Sequence, residues 1–375
     1  MTTGAAEVRA AKALLDTLAA RPRPAGGAAE AAAREHCARL LREAAFDVRE
    51  EPFEYSALPG RWATPFAGLT SGLALAAAGH LGFRLLMPRA AAGVLAAGVA
   101  VLALVALWSA RGAVLDARLL RATSVNLVAT RGDAPRVWLA AHLDSKRQPI
   151  SILVRATGIT MSIIAWLAAI AVAVVNVASG AATQWWPVVS VLGVLGAIPM
   201  ALSVVRDGSP GALDNASGAA AVVEAARTVA AAHSLGVVLT SAEELGLAGA
   251  AAWARSRSGQ LTVLNCDGVD DGGRTTVFYS GRAPRALLGA MARGAGRSGV
   301  PVRVRRLLPG ILTDSVALAR GGHASITVSR GGYATLARIH RASDTSDRID
   351  GQGIATVARL LAAAAIAAGE TDDGH

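Results

Sequence analysis

Leu139-Ala140-Ala141-His142-Leu143-Asp144-Ser145 is an apolar run that ends in an imidazole and, two residues on, a carboxylate. Val137 to Ala141 is short and apolar enough for a buried strand. Residues i and i+2 of an extended chain face the same way. Asp144 can therefore accept a hydrogen bond from one nitrogen of His142 while the other nitrogen binds a metal. Alone the pattern is weak, because a histidine at a strand end is more often a satisfied surface or core residue.

Four further segments repeat the theme of an ionisable group in a turn or at a strand end. Gly211-Ala212-Leu213-Asp214-Asn215-Ala216-Ser217-Gly218 puts Asp214 in a Gly-flanked turn ahead of an Ala-rich helix. A carboxylate there can give one oxygen to each of two metals, although a plain helix cap by Asp214, Asn215 or Ser217 reads the turn equally well. Val238-Leu239-Thr240-Ser241-Ala242-Glu243-Glu244 ends an apolar strand in two carboxylates. Adjacent side chains diverge, so one can bind metal while the other faces bound water as a general base. Leu264-Asn265-Cys266-Asp267 ends another strand, and Ile339-His340-Arg341 places a second histidine in a polar loop before the last helix.

Between these segments the chain alternates strands and helices. Strands are expected at 47–55, 124–130, 137–141, 237–240, 261–266, 275–279, 302–306 and 325–329. Helices are expected at 5–20, 27–45, 217–232, 247–255, 284–297, 314–320 and 351–368. Arg131-Gly132-Asp133 reads as the turn of a hairpin joining 124–130 to 137–141. The alternation implies an α/β fold with a mixed, mostly parallel sheet flanked by helices. Such sheets build their sites at the carboxyl ends of strands, which is where these side chains fall.

The composition does not fit a wholly soluble enzyme. Of 375 residues, 53% are hydrophobic and only 4% aromatic, so the excess is aliphatic. The mean hydropathy is +0.42. Phe66 to Met87, Ala90 to Ala110, Ile159 to Val177 and Trp185 to Val205 are apolar runs near the roughly 20 residues that span a bilayer as a helix. Arg84 has to lie near a helix end and snorkel, and His80 is expected at such an end as well. Trp185 and Trp186 stand like interface anchors. The runs form two pairs, so the chain divides into a discontinuous soluble domain (1–60, 112–148 and 207–375) and two transmembrane hairpins (61–111 and 149–206).

Each pair leaves the soluble side and returns to it. Arg61, Arg111, Arg118, Arg121, Lys146, Arg147, Arg155 and Arg206 lie on that side, against Arg84 and Arg89 on the other. The positive-inside rule then makes this an integral membrane protein with a cytoplasmic soluble domain. The bilayer is thus a partner. The net charge of +10 comes from scattered Arg without interleaved aromatics, so no nucleic-acid partner is expected. Cys37 and Cys266 form no CxxC pair and read as buried hydrophobes. His36, His233 and His323 lack acidic companions and read as surface or packing residues. Met1 to Ala20 lacks the basic start and apolar core of a secretory signal.

The ligands expected from these segments are two His, two Asp and one Glu with no thiolate, a set that suits zinc, with cobalt or manganese as alternatives. Two such ions about 3.5–4 Å apart would polarise a scissile carbonyl and lower the pKa of a shared water.

The order HxD, GxxDNxSG, EE, NxD and late His resembles the di-zinc aminopeptidases of metallopeptidase family 28, a leucyl aminopeptidase/glutamate carboxypeptidase-like group with a zinc-exopeptidase fold. The resemblance implies two Zn2+. His142 and Asp267 would bind one and Glu244 and His340 the other, with Asp214 bridging them. Glu243 would be the general base and Asp144 would orient His142. Asp314, in Leu312-Thr313-Asp314-Ser315, matches a frequent family position. The implied activity is hydrolysis of N-terminal residues from a peptide substrate by a metal-bound hydroxide. Glutaminyl cyclase and carboxypeptidase activities share the architecture, and a non-catalytic membrane binding module is the remaining alternative. Here the first membrane pair precedes Ser124 and the second separates His142 from Asp214. Insertions in surface loops cost little closure entropy, so the metal geometry can survive them. The site is then expected near the membrane surface. Substrate preference and oligomeric state are open at this level.

Overall fold

The computed structural model describes residues 4–110, 112–308 and 310–372, with residues 371 and 372 described by backbone alone. Met1 to Thr3 of the N-terminal stretch and Arg111 of the loop-charge count lie outside the described residues. The chain forms two compact units. One comprises Met1–Ala57, Val114–Arg147 and Asp207–His375, the other Leu58–Ala113 and Gln148–Arg206.

The first unit is built on one sheet of eight strands: β1 (Asp47–Ser56), β2 (Arg121–Arg131), β3 (Val137–His142), β4 (Leu235–Thr240), β5 (Thr262–Val269), β6 (Arg274–Tyr279), β7 (Val302–Arg306) and β8 (Ala324–Gly331). Their order across the sheet is β1-β2-β4-β3-β5-β8-β6-β7. Strands β3, β4, β5 and β8 run parallel to their neighbours in that stretch, and β6 is parallel to β7. The pairs β1/β2, β2/β4 and β6/β8 are antiparallel. The sheet is therefore mixed and mostly parallel, as the alternation of elements implies.

One expectation fails. β2 and β3 are not a hairpin, because β4 lies between them and pairs antiparallel with β2 and parallel with β3. The turn at Gly132 is real, with φ at +76°. However, β3 and β4 are buried at every position. Strands this apolar take central places with strand neighbours on both edges, while the polar-patterned β1 is left at the rim.

Side chains alternate between two cores. On one face Leu127, Leu139, Val237, Leu239 and Leu264 pack under the helices Ala5–Leu18, Ala28–Glu43, Ser217–Thr228, Arg285–Ser298 and Gln352–Asp372. On the other, Val128, Ala140, Val238 and Val263 meet Ala248–Arg255 and Asp314–Arg320. There the Trp138 and Trp253 rings stand edge to face at 4.9 Å. Gly236 makes room for them: a Cβ at that position would lie 2.2 Å from the Trp138 indole. His323 packs here too, its ring 5.6 Å from that of Trp253.

The second unit consists of the helices Leu58–Gly79, Pro88–Ala110, Ile152–Ser179 and Trp186–Ala201, with a π-helical segment at His80–Arg84 that puts His80 and Arg84 at a helix end. Some of its buried polar side chains pair with one another. Trp166 Nε1 donates to Ser71 Oγ (2.5 Å), and Trp186 Nε1 to Asn176 Oδ1 (3.1 Å). Asn176 Nδ2 caps the turn that follows by donating to Gly180 O and Ala181 O. Leu73, Leu104, Leu167 and Val174 point outward and are more than half exposed. An exposed apolar surface of this kind marks an interaction with a partner or a membrane.

Among the described residues, five helices are long and apolar enough to cross a membrane by length and composition: Leu58–Arg84, Pro88–Ala110, Ile152–Ser179, Thr183–Ala201 and Gln352–Glu370. The fifth lies in the larger core of the first unit, with Ile354, Val357, Leu360 and Leu361 fully buried.

Candidate metal centre

The side chains singled out in the sequence converge. His142 ends β3, Glu243 and Glu244 follow β4, and Asp267 lies near the end of β5. These are carboxyl ends of neighbouring parallel strands. Asp214 reaches the same place from the turn before helix Ser217–Thr228, and His340 from the segment after helix Tyr333–Arg338. That last helix was missed in the sequence, where the region reads as a polar loop.

Asp214 stands between the two imidazoles. Its Oδ1 lies 3.2 Å from His142 Nε2 and its Oδ2 2.7 Å from His340 Nε2. Asp267 Oδ1 is 3.7 Å from His142 Nε2, and Glu244 Oε1 is 3.7 Å from His340 Nε2. The donor atoms fall into two groups, His142/Glu243/Asp267 and Asp214/Glu244/His340, each with its atoms within 4.8 Å of one another.

The turn geometry explains how these groups are presented. Gly211 has φ of +61°, and a Cβ there would sit 2.4 Å from Asp214 O and 2.5 Å from Ser145 Cβ. Only glycine suits both demands. Helix capping falls to Asn215, not Asp214. Asn215 Oδ1 accepts from Gly218 N (3.0 Å) and Gly268 N (3.1 Å), and its Nδ2 donates to Cys266 O (2.9 Å). The asparagine thus ties the Asp214 turn to the strand bearing Asp267. Ala242 and His340 adopt φ of +56° and +61°. Left-handed conformations at residues other than glycine cost about 1–3 kcal/mol each and cluster at functional sites.

Around the ligands lies a buried polar layer. His142 Nδ1 bonds to the main-chain oxygen of Asp144 at 3.0 Å, whereas the Asp144 carboxylate is 3.6 Å away. That carboxylate accepts instead from Glu243 N and Glu244 N, each at 3.1 Å. Lys146, which entered the sequence reading only as a loop charge, pairs through Nζ with Glu244 Oε2. Thr240 Oγ1 donates to Asp314 Oδ2. Arg23 is also buried. It donates to Leu143 O (2.7 Å), Pro210 O (2.6 Å) and Gly211 O (3.0 Å), joining the two loops that carry His142 and Asp214. Nothing local in the sequence marks Arg23 as part of the centre, because the acceptors that tie it there, Leu143 O, Pro210 O and Gly211 O, are main-chain oxygens more than a hundred residues away.

Electrostatics follow from crowding. Burial opposes charge on His142, but Glu243, Asp144, Asp214 and Asp267 outweigh it and hold the imidazole well above its ordinary pKa. Burial works against ionisation of Asp214 as well, yet His340 and His142 keep that carboxyl well below its usual range. Glu243 is pushed well up by burial, with Glu244 and Asp267 adding to the effect and His142 and Lys146 opposing it. Burial raises Asp314 to about 7, against the pull of His142.

These residues suit a divalent metal. His142 Nε2 and Glu244 Oε1 are buried, point into the cluster and make no hydrogen bond. Buried polar atoms of that kind are costly unless something else satisfies them. The donors are imidazole nitrogens and carboxylate oxygens, which zinc accepts. One consequence is measurable. An imidazole must be neutral to bind metal, and the raised pKa of His142 means that it carries a proton when no cation is present. Zinc binding is therefore expected to release protons and to tighten as pH rises. Titration calorimetry in buffers of different ionisation enthalpy reads this directly; a buffer-independent enthalpy would contradict it.

A mostly parallel mixed sheet between helix layers, with histidines and carboxylates gathered at the strand ends, defines a zinc-exopeptidase-like protein. Residues 126–365 match peptidase family M28, and the chain belongs to that family. It is accordingly a metallopeptidase, a hydrolase that acts on peptides. Among solved structures it resembles a zinc aminopeptidase from Bacillus subtilis, at 14% identity and a TM-score of 0.55 over 95% of this chain and 94% of that one. It also resembles a Zn-dependent exopeptidase from Parabacteroides distasonis, at 14% identity and a TM-score of 0.55 over 96% and 97%. A third likeness is to the glutaminyl cyclase of Fimbriiglobus ruber, at 15% identity and a TM-score of 0.54 over 98% and 97%. No curated protein matches the chain.

Proposed function

We propose that the protein is a membrane-anchored zinc exopeptidase that removes N-terminal residues from peptides. The observation that carries this reading is the position of Asp214, one oxygen toward each imidazole. A carboxylate shared in this way suits a two-cation site, with His142 and Asp267 on one side and Glu244 and His340 on the other. Cations bound there would polarise the scissile carbonyl and acidify water.

The chain's own residues do the rest. Glu243 shares one group with His142 and Asp267, and in this reading it serves as the base while His142, Asp267 and Asp214 serve as ligands. It takes the proton from the attacking water and returns it to the leaving amine. Asp144 fixes Glu243 and Glu244 together through their amides. Burial of the cluster keeps bulk water from competing with the substrate carbonyl. The helical unit supplies the anchor: its outward leucines and valines are matched to acyl chains. The Arg-rich connections favour a cytoplasmic peptidase unit.

The test uses the full chain purified in detergent. Zinc content is measured beside turnover of aminoacyl substrates, N-acetylated peptides and peptides with N-terminal Gln. Cleavage confined to free N-termini, with two zinc ions per chain, is the expected result. Cyclisation of N-terminal Gln would make the protein a cyclase, and cleavage of blocked peptides from their other end a carboxypeptidase. Metal without turnover of any peptide would leave a binding module.

A further inference from the structure

The carboxylate of Asp344 is buried four residues beyond His340 and has no place among the ligands. Its Oδ1 accepts from Leu213 N at 2.8 Å and its Oδ2 from Asp214 N at 3.2 Å. Its main-chain oxygen accepts from Ala212 N at 3.2 Å. Close by, Ser209 Oγ donates to Arg341 O at 2.7 Å. Four bonds thus join residues 209–214 to residues 341–344.

The turn needs such a partner. Asp214 and Asn215 have φ/ψ of −124°/89° and −138°/39°, outside helical values. The amides of Leu213 and Asp214 are therefore given no regular helical acceptor, and a buried N–H without a partner is costly. A charged acceptor spanning both amides fixes the plane of the turn, and with it the direction in which the Asp214 side chain leaves the backbone.

The same device occurs once more in the centre. Asp144, two residues after His142, spans the consecutive amides of Glu243 and Glu244. Each histidine loop therefore carries a buried aspartate that grips the backbone under an acidic residue from another segment.

We propose that Asp344 is the positioning residue for the Asp214 carboxylate, so that the 340–344 loop sets two members of one cation group, supplying His340 and aiming Asp214. The inference rests on the cation-binding reading above. Ligand-orienting partners typically contribute 10–100-fold to metal affinity. A purely structural role would change folding and leave the metal alone.

Cobalt serves as the probe, since its visible absorption reports ligand geometry as well as occupancy. The full chain is stripped of metal and titrated with Co2+, as wild type, Asp344→Asn and Ser209→Ala. The amide of Asp344→Asn keeps one acceptor and turns a donor toward the second N–H. Cobalt binding is expected to weaken about 10–100-fold, with an altered spectrum at saturation, in a chain that remains folded without metal at the temperature of the titration. Ser209→Ala removes one hydroxyl from the same stitch, little threatens folding, and is expected to shift affinity the same way by a smaller factor. Wild-type affinity and spectrum in both variants would overturn the proposal, as would a lower metal-free midpoint with cobalt binding intact. Failure of the wild-type chain to bind cobalt at all would instead overturn the cation-binding reading itself.

Discussion

Glu243→Gln is expected to lower peptide turnover by about 10²–10⁴-fold, the range set by loss of a positioned general base, while zinc content and unfolding midpoint stay at wild-type values. The amide has the size of the carboxylate, so packing survives. The backbone bond from Glu243 N to Asp144 Oδ1 does not involve the side chain and survives too. What disappears is a carboxylate that burial, Glu244 and Asp267 raise well above its ordinary pKa. Zinc content and turnover are measured on the same preparation. Normal turnover would remove Glu243 from the chemistry. Loss of zinc together with turnover would make it a ligand, a role that its place beside His142 and Asp267 makes worth excluding.

How much of this could be read in the sequence depended on the range of each signal. Apolar runs ending in His142, Glu243 and Asp267 announce themselves locally, because a buried strand that stops at an ionisable group leaves that group at the sheet edge. The mixed sheet followed from the alternation of strands and helices. Pairing order did not, since Arg131-Gly132-Asp133 encodes a turn but not which strand fills the adjacent slot. Total burial of β3 and β4 decided that. Asp144 illustrates the limit of spacing arguments. Its position two residues from His142 places the two side chains together, yet its oxygens go to Glu243 and Glu244, about a hundred residues on. Arg23, Lys146 and Asp344 are invisible for the same reason. Each acts on main-chain or side-chain atoms brought close only by the finished fold.

Asp214→Ala is expected to have the widest effect on metal of any single substitution. Asp267 and Glu244 each face one imidazole, whereas the two oxygens of Asp214 lie toward both His142 and His340. Removing them takes a donor from both positions at once and strips the negative charge that separates the two imidazoles. Zinc affinity should fall by more than the roughly 100-fold upper range seen for residues that only orient ligands, and turnover should vanish with it. The fold should persist, because the side-chain bonds that hold the turn come from Asn215, Ser217 and Asp344. Equilibrium dialysis against zinc buffers, read beside circular dichroism of the same samples, separates these outcomes. A variant that keeps one tightly bound ion per chain would show that the centre is two separate sites, and Asp214 would then belong to the His340 side alone.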